Sequence, residues 1–458
     1  MLEKITPRLP SGMRDFLPEE LIRRQFVIER VAQVFEAFGY EPLQTPVLEL
    51  EETLLGKYGA DAERLIFHAQ HPGGKEKLAL RYDLTVPLAR AFAMHEGKLS
   101  LPFRRYQIAP VWRAERPQRG RFREFYQCDV DCIGVEGMEA DAEVISVAVA
   151  ALQRLGFSDF AVKINNRKLL TGIGMYVGLE GAALTDLYRS IDKLDKIGAD
   201  GVREELLRSG IAAELVTRVM ELIGAETAAE RGYAAAGARL AHLRQTLAAV
   251  PLALEGLAEL ERVFAYLEAS EIPSEMVAFD PAMVRGLGYY TGPIFEAVLL
   301  SADPEERVGS LAGGGRYDDL IGLFRKTSLP TVGVSLGIER LIVLMEKRGM
   351  YPEPLQRTLV QVLVTVFNES LRPAALRLAS QLRKAGLSVE VFAGSAKLGK
   401  QLAYANKRGI PLVALLGEDE LAAGAVKFKR LRDHHESLCP YAEAAQRAQA
   451  LLRSLTDH

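Results

Sequence analysis

Any chemistry this chain performs has to be built around arginine. The segment RAERPQRGRFREFYQ, Arg113–Gln127, holds five arginines and no lysine in a 458-residue chain whose formal net charge is −3. A guanidinium offers a planar fork of donors to phosphate or carboxylate, whereas an ammonium acts as a point charge. The choice of residue therefore favours bidentate recognition of an anion over bulk attraction. Read with the period of a strand, Arg121–Cys132 divides into two faces. Arg121, Arg123, Phe125, Gln127, Asp129 and Asp131 share one; Phe122, Glu124, Tyr126, Cys128, Val130 and Cys132 share the other. The second packs and the first is left for a ligand. A solvated edge hairpin, with Glu115 and Glu124 offsetting two arginines, accounts for the same residues.

Other stretches carry residue types suited to ligand contact. RYDLTVPLAR, Arg81–Arg90, reads as a strand placing Arg81, Asp83 and Thr85 on one face until Pro87 stops the pairing; edge-strand polar residues give the same pattern. VRGLGYYTGPIFE, Val284–Glu296, interleaves Arg285, Tyr289 and Tyr290 with three glycines, which permit close approach of backbone to a ligand and also serve ordinary turns. LAGGGRYDDLIG, Leu311–Gly322, reads as a loop exposing backbone N–H groups ahead of Arg316, without the spacing of a GxxxxGKS/T phosphate loop. In GVSLGIERLIVLM, Arg340 falls in the first turn of an apolar helix, where the macrodipole disfavours a cation; an anionic partner or the adjacent Glu339 has to offset it. No Ser/His/Asp triad, HExxH or Cys/His cluster is visible among seven histidines and three cysteines. The chemistry is positioning and charge stabilisation.

These groups need a scaffold. With 48% hydrophobic and 26% charged residues over 458 positions, two or three domains with ample cores are expected. Leu21, Phe26, Val31, Val34 and Phe35 recur at helical spacing up to Gly39, and an extended run punctuated by Pro42 and Pro46 follows. Residues 77–135 read mainly as strands and turns, with Gln107–Glu115 turning through RPQRG into the arginine-rich strand. From Arg167 to about Arg262 nearly everything is helical, and strand signals resume at Met276–Leu300. A β-rich body that is interrupted and then resumes implies an insertion within one domain. After a Pro-marked linker, Met350–Gln356, come VQVLVTVF, a helix over Leu371–Ala385, LSVEVFA, a short helix near Lys400–Lys407 and IPLVALLG, the alternation of a small α/β unit with a mainly parallel sheet.

Residues 361–458 carry 14 Lys+Arg against 9 Asp+Glu, which makes this part the better polyanion binder, although a solvated surface explains the surplus equally well. Cys128 and Cys132 on one strand face are expected to be packed thiols; with Cys439 they form no disulfide framework and suit a reducing compartment. The start lacks an apolar leader and no run is long enough to span a bilayer, so a cytoplasmic protein free of the membrane is expected.

In this order the pieces resemble the three motifs of a class II aminoacyl-tRNA synthetase, and RGLGYYTGPIFEA and AGGGRYDDL resemble the two signatures of the histidyl-tRNA synthetase family. Pro46 after the long helix matches motif 1, the dimer-forming element; Arg113, Glu115 and the loop to Phe125 match motif 2; GIERL with Arg340 matches motif 3. The resemblance spans nearly the whole chain. It implies an α+β class II synthetase catalytic domain, mainly an antiparallel sheet with helices, over 1–350, with a helical insertion at 172–262. It also implies a C-terminal α/β anticodon-binding domain at 357–458. The implied reaction joins histidine to histidine tRNA at the expense of ATP, with Mg²⁺, in a homodimer; metal ligands are not implied residue by residue.

The resemblance assigns roles as well. Arg113 meets the α-phosphate of ATP, Arg121 the distal phosphates, Arg340 the γ-phosphate side, Glu115 the adenine amino group, and Phe125 stacks on the adenine. Asp83, Thr85 and Gln127 hold the α-amino end of histidine, Asp131 and Tyr290 take opposite imidazole nitrogens beside Tyr289, and Arg285 stabilises the charge that develops as the carboxylate attacks the α-phosphate. The motif 2 loop, Arg116–Arg119, faces the extra 5′ nucleotide of the tRNA. Two positions depart from the family's usual pattern: Gly288 replaces an Asp after RGL, and Asp83 stands where many bacterial members carry Glu. A different class of function, the non-catalytic histidine-sensing regulatory subunit of ATP phosphoribosyltransferase, shares the catalytic fold. It generally lacks the anticodon domain and loses ATP-contacting arginines that are all present here.

Overall fold

The strands Phe103–Trp112 and Glu124–Ile133 pair antiparallel along their whole length, from Phe103 opposite Ile133 to Trp112 opposite Glu124. The computed structural model describes residues 5–56, 63–117, 121–224, 230–285, 289–352, 357–394 and 396–455. The two strands belong to an eight-stranded sheet in the order Glu41–Pro42, Phe103–Trp112, Glu124–Ile133, Thr331–Leu336, Ala312–Arg316, Pro293–Leu299, Phe160–Asn166 and Val277–Phe279. Only the two outermost pairings are parallel. Cys128, Val130 and Cys132 are buried on one side of it, and all three cysteines are free thiols. The helix Glu139–Arg154 packs on the Thr331–Leu336 strand with Val144, Val147, Ala148 and Ala151 buried. Full burial of each valine side chain stabilises by about 1.5–3 kcal/mol before chain entropy is counted, and of each alanine methyl by less.

Register sets the other face. Arg105, Asp131, Gly333, Gly315, Ile294 and Asn165 stand opposite one another in one row across five pairings, and Gln107, Asp129, Ser335, Gly313, Glu296 and Lys163 form the next. Directly paired residues share a face, so the charged side chains of the outer strands converge on glycines in the middle. The run Gly313–Gly315 is therefore strand, where a loop was expected. A Cβ at Gly313 would strike the Arg285 guanidinium, one at Gly333 the Asp131 carboxylate, and one at Gly315 would come within 2.9 Å of the Tyr290 ring. Glycine costs strand stability and is used here for close approach.

The stretch after Leu80 also departs from the strand reading. Leu78–Leu80 belongs to a three-stranded sheet with Leu48–Leu50 and His68–Ala69, and Thr85–His95 is a helix. Asp83 accepts a hydrogen bond from the Val86 N–H at 3.1 Å and so starts it. Pro87 sits in the first turn, where a missing N–H costs nothing. Arg81 turns away from Asp83 and Thr85 and is buried, donating to the carbonyls of Pro110 and Thr45, both at 2.9 Å.

Among the described residues six helices run from Arg167 to Ala269; the last, Pro251–Ala269, packs on Arg167–Tyr176 and on Glu139–Arg154, so both ends of the block rest on the body of the sheet. The chain forms two compact units, one taking residues up to Arg14 together with Val27–Lys347 and the other Asp15–Phe26 with Arg348–His458. In the latter, Val362–Val364 runs parallel to both Val389–Val391 and Leu412–Leu415, while Ala425–Arg430 and Glu436–Pro440 extend the sheet antiparallel. The sheet is thus mixed, not mainly parallel. The linker residues 353–356 lie outside the described residues. Among the described residues no helix is long and apolar enough to cross a membrane.

Candidate active site

The glycine notch and the strand ends around it enclose a cleft of about 390 Å³. Such a volume suits a small organic ligand. Arg113, Arg121, Arg285 and Arg340 all line it. Each is held differently. Arg113 donates from Nε to the Tyr82 carbonyl at 3.1 Å and lies over the Tyr82 and Phe125 rings, 4.5 and 5.0 Å from their centroids. Arg121 is half exposed and forms a bidentate pair with Glu115, 2.6 Å from Nη2 to Oε1. An exposed pair of this kind contributes only about 0.2–1 kcal/mol, so an incoming phosphate can displace the carboxylate. Arg285 rests on Gly313 and stands 3.5 Å from Glu296, with no hydrogen-bond partner for its Nε. Arg340 donates to the Ser310 carbonyl at 2.6 Å and to its hydroxyl at 3.1 Å.

Glu339 does not neutralise Arg340. Its carboxylate accepts from Arg14 at 2.6 Å and from the Tyr126 N–H at 3.3 Å. Burial depresses the Arg340 pKa, and the neighbouring cations Arg121, Arg285 and Arg113 depress it further while Glu296 opposes them. Arginine does not give up its proton in proteins, so the crowding registers as positive potential that an anion of several charges would relieve.

The strand faces expected from the period-two reading hold from Phe125 onward. The strand begins at Glu124, so Arg121 and Arg123 precede it. Arg123 consequently leaves the cleft: its Nε donates to the Glu115 carbonyl at 3.0 Å, and its backbone N–H to that of Gly12 at 2.9 Å. Phe125, Gln127, Asp129 and Asp131 line the cleft together with Asp83 and Thr85, the latter two carried there by the start of their helix. Arg316, expected beside an anion-binding loop, is instead a buried clamp. It pairs with Asp141 and donates to the carbonyls of Val135 and Gly137 at 3.0 and 3.1 Å. Arg119 and Gly288 lie outside the described residues.

The floor also contains two residues the sequence reading missed, Arg105 and Tyr317. Asp131, 3% exposed, accepts from the Tyr317 hydroxyl through Oδ1 and stands 2.7 Å from Arg105 Nη2 through Oδ2. An ionised carboxylate has about four lone-pair positions, so both oxygens can still accept from a ligand. Tyr289 stacks obliquely between Tyr290 and Tyr317, with centroids 5.0 and 5.7 Å away. Burial raises all three phenols, which keeps them protonated and able to donate. Asp129 is 3% exposed as well; burial pushes its carboxyl up to about 7, Asp131 adds to the rise, and Arg105 opposes it.

That rise carries a stability consequence. A carboxyl held above its ordinary 3.8 favours the fold while protonated, and this advantage is lost as pH climbs from 3.8 to about 7. Asp129→Asn is therefore expected to raise the melting temperature of the ligand-free protein, by a margin that widens over that interval and levels off above it. Thermal scans at a series of pH values test this; a margin independent of pH would contradict it.

An antiparallel sheet that sets arginines along one side of such a cleft, with motif 2 on neighbouring strands and Arg340 on the helix that follows the next, defines the catalytic domain of the class II aminoacyl-tRNA synthetases. The sequence model of histidyl-tRNA synthetase matches residues 12–341, and that of the anticodon binding domain matches residues 361–451. A histidine–tRNA ligase of Aeropyrum pernix is 42% identical over 98% of this chain and 99% of its own length. One of Porphyromonas gingivalis is 39% identical over 96% and 98%. The crystal structure of histidyl-tRNA synthetase from Nostoc sp. PCC 7120 superposes with a TM-score of 0.85 at 32% identity, covering 98% of this chain and all of that one. The chain belongs to the histidyl-tRNA synthetase family.

Proposed function

We propose that the protein activates L-histidine with ATP, giving bound histidyl-adenylate and pyrophosphate, and then transfers the histidyl group to the 3′-terminal ribose of histidine tRNA. The single observation that carries this reading is the division of one cleft into an arginine cluster on one side and a carboxylate and tyrosine floor on the other. A polyphosphate and a cationic amino acid would lie end to end. Arg113 is to hold the α-phosphate, Arg121 the distal phosphates after leaving Glu115, and Arg340 the γ-phosphate side. Phe125 is to stack on the adenine with Glu115 at its amino group. Asp83, Thr85 and Gln127 receive the α-amino end of histidine, and Asp131 and Tyr290 its two ring nitrogens, beside Tyr289. A site built to hydrogen-bond both nitrogens rejects side chains lacking either, because buried partners are then left unmet. Arg285, between the two halves, is to meet the charge that forms as the carboxylate oxygen attacks phosphorus and pyrophosphate leaves.

Mg²⁺ fits this arrangement as a partner of the polyphosphate. It is usually held by one or two carboxylates plus phosphate oxygens rather than by a protein cage, and Glu339, next to Arg340 in the lining of the cleft, is the carboxylate that would hold it. When bound it neutralises phosphate charge. We further propose residues 1–350 as the catalytic domain, 172–262 as an insertion over the acceptor stem, and 357–458 as the anticodon-binding domain, with the surplus of basic residues there facing tRNA. A homodimer is supported by the exposed apolar residues Val47, Leu48 and Leu50 beside Pro46, and the three free thiols suit the reducing cytoplasm.

The histidine-sensing regulatory subunit is not favoured, since ligases align along nearly the whole chain and the ATP-facing arginines are complete. Charging decides. With histidine tRNA, ATP and labelled histidine, acid-precipitable label is expected to accumulate, and to require ATP. Histidine binding without charging would overturn the proposal.

A further inference from the structure

Gln127 precedes Asp129 by one cleft-facing position on its strand, and Asp129 stands opposite Ser335 on the next. The Gln127 amide nitrogen donates to the Ser335 hydroxyl oxygen at 3.2 Å and lies 3.5 Å from both Asp129 oxygens. The Ser335 hydroxyl stands opposite Asp129 in register and is placed to donate to its carboxylate, which favours the charged form. An ionised carboxylate only accepts, so the hydroxyl must donate to it and keep its lone pairs for the amide. Gln127 therefore meets acceptors at one end and has to present its NH₂ group there. Its carbonyl oxygen, at the other end of the amide, is buried without any donor. A buried acceptor in that state is costly unless a ligand supplies the missing hydrogen bond.

Charge points in the same direction. Asp129 is faced by Asp131 on its own strand, by Arg105 from the Phe103–Trp112 strand, by Asp83 from the turn before the Thr85–His95 helix, and by Tyr289 and Tyr290. The one guanidinium among these, Arg105, is already engaged with Asp131 at 2.7 Å. Two buried carboxyls thus share a single cation. Burial and then Asp131 push the Asp129 carboxyl up to about 7, and an ammonium arriving beside it would favour its charged form.

We infer that Asp129 is a positioning residue for the ammonium group of the amino acid: acting through Ser335 and directly, it locks the Gln127 amide with its oxygen toward the substrate, and it supplies charge that the ammonium neutralises. This rests on the cleft receiving histidine as proposed above. It adds a residue that neither motif 2 nor the histidine signatures contain.

A switch of hydrogen-bond direction tests it. In Asp129→Asn the residue can offer either a donor or an acceptor, so nothing fixes the amide. The KM for histidine in histidine-dependent pyrophosphate exchange is expected to rise about tenfold or more, with kcat and the KM for ATP changed by less than about threefold. Gln127→Glu alone sets two carboxylates against each other and should be at least as damaging. Combined, the two changes reverse the chain: the new amide at position 129 donates to Ser335, Ser335 donates to the new carboxylate at position 127, and an acceptor again faces the ammonium. The double variant is expected to recover a histidine KM within about threefold of the parent, a coupling that only interacting side chains produce. An unchanged KM in Asp129→Asn, an equal rise in the KM for ATP, or a double variant no better than the worse single one would each overturn the inference. Absence of histidine-dependent exchange in the parent protein would instead refute the functional reading beneath it.

Discussion

Replacing Arg285 with alanine is expected to slow formation of histidyl-adenylate by about 10³-fold, while histidine affinity changes only a few-fold. The asymmetry follows from where the side chain sits. Arg285 lies on Gly313 with its Nε unpartnered and its nearest anion, Glu296, at 3.5 Å. The ion pair is loose, so the guanidinium keeps hydrogen-bonding capacity for a ligand. Negative charge accumulates around phosphorus as the carboxylate attacks, and donors already in place stabilise it without reorganising. A contact that strengthens only at that moment alters rate more than ground-state binding. Pre-steady-state measurement of adenylate formation beside calorimetric titration of histidine separates the two. Equal losses in rate and affinity would make Arg285 a ground-state binding group and move the catalytic role to Arg113.

Arg316 gives the opposite expectation despite its place in the glycine signature. Arg316→Leu should destabilise the fold by about 3–5 kcal/mol, the usual result of leaving one buried partner of an ion pair uncompensated. Asp141 is fully buried, and the same guanidinium also satisfies the carbonyls of Val135 and Gly137. Pairing Arg316→Leu with Asp141→Leu removes the stranded charge and should recover part of the loss. Denaturant unfolding measures both variants. A single variant of parental stability that had lost histidine binding would return Arg316 to the ligand.

The period-two pattern made Gln127 and Asp131 legible as residues on the face that lines the cleft, because side-chain alternation survives wherever a strand survives. It failed at Arg123, which lies just before the strand begins and is held by the Glu115 carbonyl. It failed again at Arg81–Thr85. There the spacing of Arg81, Asp83 and Thr85 was read as one face of a strand, while the decisive signals, Asp83 three positions before the Val86 N–H it caps and Pro87 in a first turn, were those of a helix start. Glycine triplets read as loops because they weaken strands; these glycines stay in the sheet since Arg285, the Gly333 backbone and Tyr290 occupy the space their side chains would need. Arg104 and Arg105 are adjacent and alike, yet the first bonds Glu143 at 2.8 Å and the second lies buried against Asp131. Nothing local distinguishes them, since alternation says they point apart but not which way. The arginine cluster itself was readable by type and spacing, whereas the supports under it depend on cross-strand register.

On the proposed reading, one cleft brings ATP and histidine together for reaction. The most direct test is exchange of labelled pyrophosphate into ATP by the purified protein, run with each amino acid in turn. Exchange with histidine and with none of the others is the expected result. Exchange independent of any amino acid, or none with histidine at concentrations that saturate binding, would contradict the claim.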